Sequence, residues 1–243
     1  MTTDLATLTG ALRSQWNRLY GWLEPLGADM YALAEEPSAL DGWTNRELVA
    51  HLGRALRPLV DFREAPEGTV PLTLAEYLGT YPERATEIAT STRELADSLG
   101  ANPLPHVRTV ADEGLARLDG LAGADRLVVE ARRGPMLLRE LVVSRLIELV
   151  VHADDLVVSL APTVDAVGPQ DPRDPEARRI VAEELLRIVV TRGGWSLEVV
   201  DALTWVRLAT GRVPYDVDTL AHALAPGFTA GGVPDLGRML PLL

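Results

Sequence analysis

The stretch Leu146-Ile147-Glu148-Leu149-Val150-Val151-His152-Ala153-Asp154-Asp155 places ionisable side chains inside one of the most apolar runs of the chain. Glu148 and His152 are four apart, so on a helix they share one face, and Asp155 follows about one turn later. Apolar residues continue on both sides, which predicts one long helix from Met136 to about Leu160, opened by Gly134-Pro135. A helix this apolar must be covered by neighbours. Glu148, His152 and Asp154 interrupt it, so it does not read as a membrane span.

Upstream, Leu5, Leu8, Leu12, Trp16, Leu19 and Leu23 recur at helical spacing after a capping Asp4, and Pro25 and Gly27 end that helix. Thr44 and Glu47 form a capping box, with Trp43 and Leu48 placed as a hydrophobic staple, so a second helix runs to about Leu56, before Pro58. Thr73 and Glu76 repeat the box and open a helix kinked at Pro82 that continues to Leu99, where Gly100 stops it. A helix at about Thr109 to Leu121 and a short strand at Leu127 to Ala131 precede the long helix. Such helices with short joins read as an antiparallel bundle over residues 1–161. Residues 162–175, with Pro162, Pro169, Pro172 and Pro175, read as a linker. Residues 176–243 read as a small α+β domain: a helix to about Thr191, a strand at Leu197 to Val200, and helices at about Leu203 to Thr210 and Val217 to Leu224. The fold class is therefore α+β, mostly α.

Composition narrows the chemistry. The chain has 243 residues and 47% hydrophobic residues, enough for a sizeable core. Its basic residues are all arginine, a mark of GC-rich coding, and its net charge of −12 argues against gripping a phosphate backbone. Cysteine is absent, which excludes disulfides, cysteine nucleophiles and thiolate metal ligands from the chain itself. Any thiol must come from solution. The start, Met1-Thr2-Thr3-Asp4-Leu5, lacks the pattern of a signal peptide, so the cytoplasm is the expected compartment.

His51 lies on the inward stripe of the Thr44-capped helix, three residues after Leu48. With Glu148 and His152 on a facing helix, two nitrogens and a carboxylate would leave a fourth metal position open, the pattern of a catalytic zinc site. Asp155 could orient an imidazole by accepting its N–H. Spacing equally allows plainer readings. A lone histidine on an apolar face is more often a core residue. Glu140, Ser144, Glu148, His152 and Asp155 also match an amphipathic helix with one wet face. His106 reads as a loop residue and His222 as a half-exposed helix residue.

The segment Gly42-Trp43-Thr44-Asn45-Arg46-Glu47-Leu48-Val49-Ala50-His51-Leu52 resembles the first-histidine motif of the mycothiol-dependent maleylpyruvate isomerase family, a branch of the DinB-like metal-binding bundles. Glu148 to Leu156 resembles its second motif, and Thr73 to Leu78 the helix between them. The resemblance implies a DinB-like four-helix bundle whose His51, Glu148 and His152 hold a divalent metal, usually zinc. It further implies mycothiol as a thiol cosubstrate, used for S-transfer to an electrophile or for thiol-assisted isomerisation. Leu203 to Arg212 and Pro234 to Leu243 resemble a sterol-carrier-protein-like domain, here with little room for its several strands. Arg212 is the candidate catalytic anchor for an anionic substrate, its alternative being a cation at a helix end. Tyr77 and Asp155 are candidate cofactor-binding residues; Tyr77 and Tyr81 could line the cavity, but as helix-face aromatics they read more readily as core. The expected partners are a small-molecule thiol and an electrophile, with neither nucleic acid nor membrane, in a monomer or homodimer. The alternative is a non-enzymatic bundle that binds a small ligand or pairs with another chain; metal-activated water is a third reading.

Overall fold

The computed structural model describes residues 2–26, 32–160, 171–228 and 232–243. Helix α1 (Leu5–Leu23) starts on Asp4, whose carboxylate accepts from the Thr7 N–H at 2.7 Å. Helix α2 (Asn45–Leu56) starts on the expected capping box: the Glu47 N–H donates to Thr44 Oγ1 at 3.2 Å, and the Thr44 N–H donates to Glu47 Oε2 at 2.9 Å. A single turn, α3 (Pro58–Asp61), leads into strand β1 (Arg63–Glu64). Thr73 and Glu76 cap α4 (Leu74–Leu78) in the same reciprocal way.

Beyond α4 the chain departs from one kinked helix. Pro82 lacks an N–H to continue the ladder, so α4 ends, a 3-10 turn covers Pro82–Arg84, and α5 (Ala85–Leu99) restarts. Gly100 takes φ +73, a conformation that suits glycine, and stops it. Helix α6 (Leu104–Asp119) begins earlier than expected and takes His106 out of any loop. Pro103 and Pro105 do not delay it, because first-turn N–H groups have no partner inside the helix.

The long helix also starts late. Gly134–Leu137 forms strand β3, paired antiparallel with β2 (Val128–Ala131), with Met136 opposite Val129 and Leu137 opposite Val128. Gly134, at φ +126, makes the turn, and β1 completes a sheet in the order β1-β2-β3. Helix α7 (Leu138–Leu160) follows at once. After it come α8 (Pro175–Gly193), β4 (Leu197–Val199), α9 (Ala202–Ala209), α10 (Val217–Ala223) and β5 (Leu224–Pro226); β4 and β5 pair antiparallel.

Helices α1, α2, α6 and α7 form the bundle, α5 lies on α2, and α8 lies against α1 and α7. The α+β, mostly α, expectation holds. Helix α8 buries Ile180, Val181, Leu185 and Val189, and the Trp205 indole of α9 donates to the Ala182 carbonyl at 2.9 Å. The apolar core thus runs from Leu5 on α1 to Leu242 near the C-terminus. The expected linker falls mostly on 161–170, outside the described residues. Among the described residues of the tail, the strands form one two-stranded sheet.

Candidate metal centre

Helix α7 is the unusual element of the fold, because its polar residues are buried. Arg139, Glu140, Ser144, Arg145, Glu148, His152, Asp154 and Asp155 are all enclosed, so the wet-face reading fails. Helix α8 is one reason. Arg139 of α7 pairs with Glu184 of α8 at 2.7 Å, and Arg187 of α8 reaches Glu140 at 3.4 Å. A buried charge requires partners, and the polar side chains of α7 have them.

About two turns further along, α7 faces α2. One ligand atom from each of His51, Glu148 and His152 lies within 4.8 Å of the others. Glu148 Oε2 is 3.1 Å from His152 Nε2 and 3.4 Å from His51 Nε2. The two imidazole rings meet edge-on, centroids 4.8 Å apart. Each Nδ1 is held from behind: His51 Nδ1 lies 3.2 Å from Thr92 Oγ1 of α5, and His152 Nδ1 lies 2.9 Å from Asp155 Oδ2. Both Nε2 atoms are thereby turned toward the carboxylate. Two imidazole nitrogens and one carboxylate oxygen, converging and oriented by outer partners, are a donor set that fits a divalent ion such as zinc.

Electrostatics separate the three groups. Burial pulls the pKa of His51 down to about 4, so it is neutral at pH 7. Burial also opposes charge on His152, but hydrogen bonds to Asp155 and Glu148 outweigh it and raise its pKa. Glu148 is held well below the usual carboxylate range: burial pushes it up, while both histidines and Arg145 pull harder the other way. Asp155 is likewise lowered, burial being outweighed by His152 and Arg212.

Behind Glu148 stands a pair of which sequence reading named only Tyr81, as a residue that could line the cavity. Tyr81 donates its O–H to Glu148 Oε1 at 2.6 Å and accepts from Arg145 Nη2 at 2.8 Å. Arg145 also donates to the Ala55 carbonyl at 2.7 Å. Arg145 lies three residues before Glu148, on the same helical face, which was the available signal. Tyr77, expected at the cofactor, is instead buried in the core, edge-on beneath Tyr81 with centroids 6.3 Å apart. The helix ends at Leu78, so Tyr81 leaves the register of Tyr77 and is the tyrosine that lines the cavity.

That cavity, about 390 Å³, opens on the three groups and is walled by Trp43, Leu78, Ile88, Ile147, Arg133 and Arg212, among others. Arg212 reaches it from beyond α9, yet its guanidinium is engaged: it donates to Asp155 at 3.2 and 3.0 Å and to the Thr210 carbonyl at 3.0 Å. It holds the residue that holds His152. His222 is exposed, lies 3.8 Å from Asp201 and does not line the cavity.

A helical bundle whose core encloses a histidine–glutamate–histidine group able to hold a metal ion is the class that fold and site define. The chain belongs to the family described as the mycothiol maleylpyruvate isomerase N-terminal domain, whose model matches residues 12–157. No curated protein and no solved structure matches it. The matched span contains His51, Glu148, His152 and Asp155, and ends before α8 and Arg212. Among the described residues, no helix is long and apolar enough to cross a membrane.

Proposed function

We propose that the protein is a metal-dependent enzyme that activates a low-molecular-weight thiol, mycothiol by family, for S-transfer to an electrophile or for thiol-assisted isomerisation. The observation that carries this reading is that one ligand atom each of His51, His152 and Glu148 lie within 4.8 Å of one another in the lining of a cavity. A divalent cation held there, zinc by the chemistry of its donors, would lower the pKa of a thiol and present it as thiolate at neutral pH. The chain's own residues do the rest. His51 is neutral and so ready to donate a lone pair, and Glu148 supplies negative charge to offset the cation. Thr92 and Asp155 fix the two rings, and Tyr81 with Arg145 fixes the far oxygen of Glu148. Trp43, Leu78, Ile88 and Ile147 exclude water from around a bound thiol. The chain has no cysteine, so the reacting sulfur has no rival within the protein.

Cobalt loaded in place of zinc tests this directly. Adding a low-molecular-weight thiol should produce sulfur-to-metal charge-transfer absorption, with the thiol as its source, since methionine thioethers are weak donors. Protein that takes up no divalent metal would end the reading. A cobalt spectrum that ignores thiols but answers to hydroxide would favour metal-activated water.

A further inference from the structure

A second cavity, about 680 Å³, adjoins the first, and Arg54 of α2 lines both. The chain carries a net charge of −12, yet three guanidinium groups gather where these cavities meet: Arg54, Arg132 and Arg133. Arg132 has a distant counter-ion, Glu87 at 3.7 Å. Arg54 donates to a neutral hydroxyl, Ser91 Oγ, at 2.9 Å. Arg133 stacks 3.8 Å from the centroid of the Tyr81 ring, and its Nη1 is buried with no hydrogen-bond partner. Among the described residues, neither Arg54 nor Arg133 forms an ion pair.

Such an arrangement costs free energy as it stands. Burial and repulsion from Arg132 and Arg133 disfavour the charge on Arg54 more than the nearby carboxylates of Glu148 and Glu87 favour it, and a buried N–H of Arg133 lacks the acceptor it would have in water. One anion at the junction would relieve all of this. The location is specific, because Tyr81, on which Arg133 rests, donates to Glu148 at 2.6 Å.

We propose that Arg54 and Arg133 bind the carboxylate of a small anionic ligand at the junction of the two cavities. Its reactive end lies toward His51, Glu148 and His152, and its body occupies the larger cavity. A carboxylate fits, since its two oxygens match the planar donors of a guanidinium. The assignment moves the anionic anchor from Arg212, which is engaged with Asp155, to two arginines without ion-pair partners. The direction of the reactive end rests on the function proposed above; binding of the carboxylate does not.

Calorimetric titration of the full chain with succinate, dimethyl succinate and inorganic phosphate, before and after a chelator strips metal, is the test. Succinate should bind in both states, the neutral ester should not, and phosphate should bind more weakly than succinate. Arg54→Gln and Arg133→Gln should each weaken succinate about tenfold or more, the loss of a charged hydrogen-bonding partner. Arg54→Lys, which keeps the charge and loses the planar fork, should fall between and guards against misfolding of the first variant. Arg179→Gln, on the exposed face of α8, should change nothing. Failure of succinate to bind, equal binding by the ester, tighter binding of phosphate, or glutamine variants that bind like the parent would each overturn the proposal. Binding that disappears with the metal would do so too, by placing the anion on the ion. Persistence after chelation keeps this result separate from the fate of the metal reading.

Discussion

Glu148 sits where three separate demands meet, and its two oxygens divide them. Oε2 faces both imidazoles while Oε1 takes the Tyr81 hydroxyl, so the carboxylate is held from both sides with one oxygen left toward the histidines. Glu148→Gln keeps the shape and removes the charge that offsets a cation. It should weaken zinc binding in a chelator-competition titration while the circular dichroism of the bundle persists; parental affinity would refute its role as ligand. Arg212 acts at one remove. Truncating it leaves Asp155, 3% exposed, without the cation that steadies it, and loosens the imidazole of His152. Arg212→Ala should lower metal affinity by less than the about 10–100-fold typical of losing a direct outer partner of a metal ligand, here Asp155, with partial rescue by Arg212→Lys. An anchor that contacts substrate would instead raise KM and leave metal affinity alone.

Helix starts, by contrast, rest on local chemistry, and Asp174 gives the most exacting test. Its carboxylate caps α8 through the Ala177 N–H at 2.9 Å, accepts from Ser14 Oγ at 2.7 Å and pairs with Arg18 at 3.1 Å. Burial raises its pKa, but the Ser14 and Ala177 hydrogen bonds and the Arg18 charge outweigh that and lower it. A carboxyl whose folded pKa is depressed stabilises the fold above its unfolded pKa and loses that contribution as pH falls through the folded value. Asp174→Ala should therefore cost about 1–2 kcal/mol at neutral pH. Asp174→Asn should keep the cap, and its deficit in melting temperature should close below about pH 4. A deficit independent of pH would show that the cap alone matters. Capping of this kind is why α1, α2 and α4 were legible from Asp4, Thr44 and Thr73: each signal lies within four residues of the helix it starts. Strand β3 was not legible, because Met136 and Leu137 are apolar in either state and their partners, Val129 and Val128, lie across a turn. The site shows the same division. His51, Glu148 and His152 were readable from spacing and motif, and Arg145 could have been read from its place one turn before Glu148, whereas Tyr81 reaches Glu148 through a tertiary contact that no local pattern encodes.

At the scale of the molecule, the family match ends at residue 157 while the physical core continues past it. Helix α8 covers α1 and α7 with Ile180, Val181, Leu185 and Val189, each an apolar side chain whose burial contributes roughly 1.5–3 kcal/mol. It also neutralises buried charge: Arg139 of α7 has Glu184 of α8 as a partner, and removing one member of a buried pair costs about 3–5 kcal/mol. Domain stabilities are only about 5–15 kcal/mol, so a chain ending at residue 160 forfeits a large share of its total. Such a fragment should melt far below the full chain or fail to fold, with exposed apolar surface detected by dye binding. It should also bind metal more weakly, because Arg212, which reaches Asp155 at 3.0 Å, is removed with the tail. The two effects separate experimentally. Supplying residues 171–243 as a second polypeptide should restore the melting transition and the metal affinity together if the tail completes both core and site. A fragment of residues 1–160 that is stable alone and binds metal like the full chain would instead make the bundle an independent domain, with the tail only attached to it.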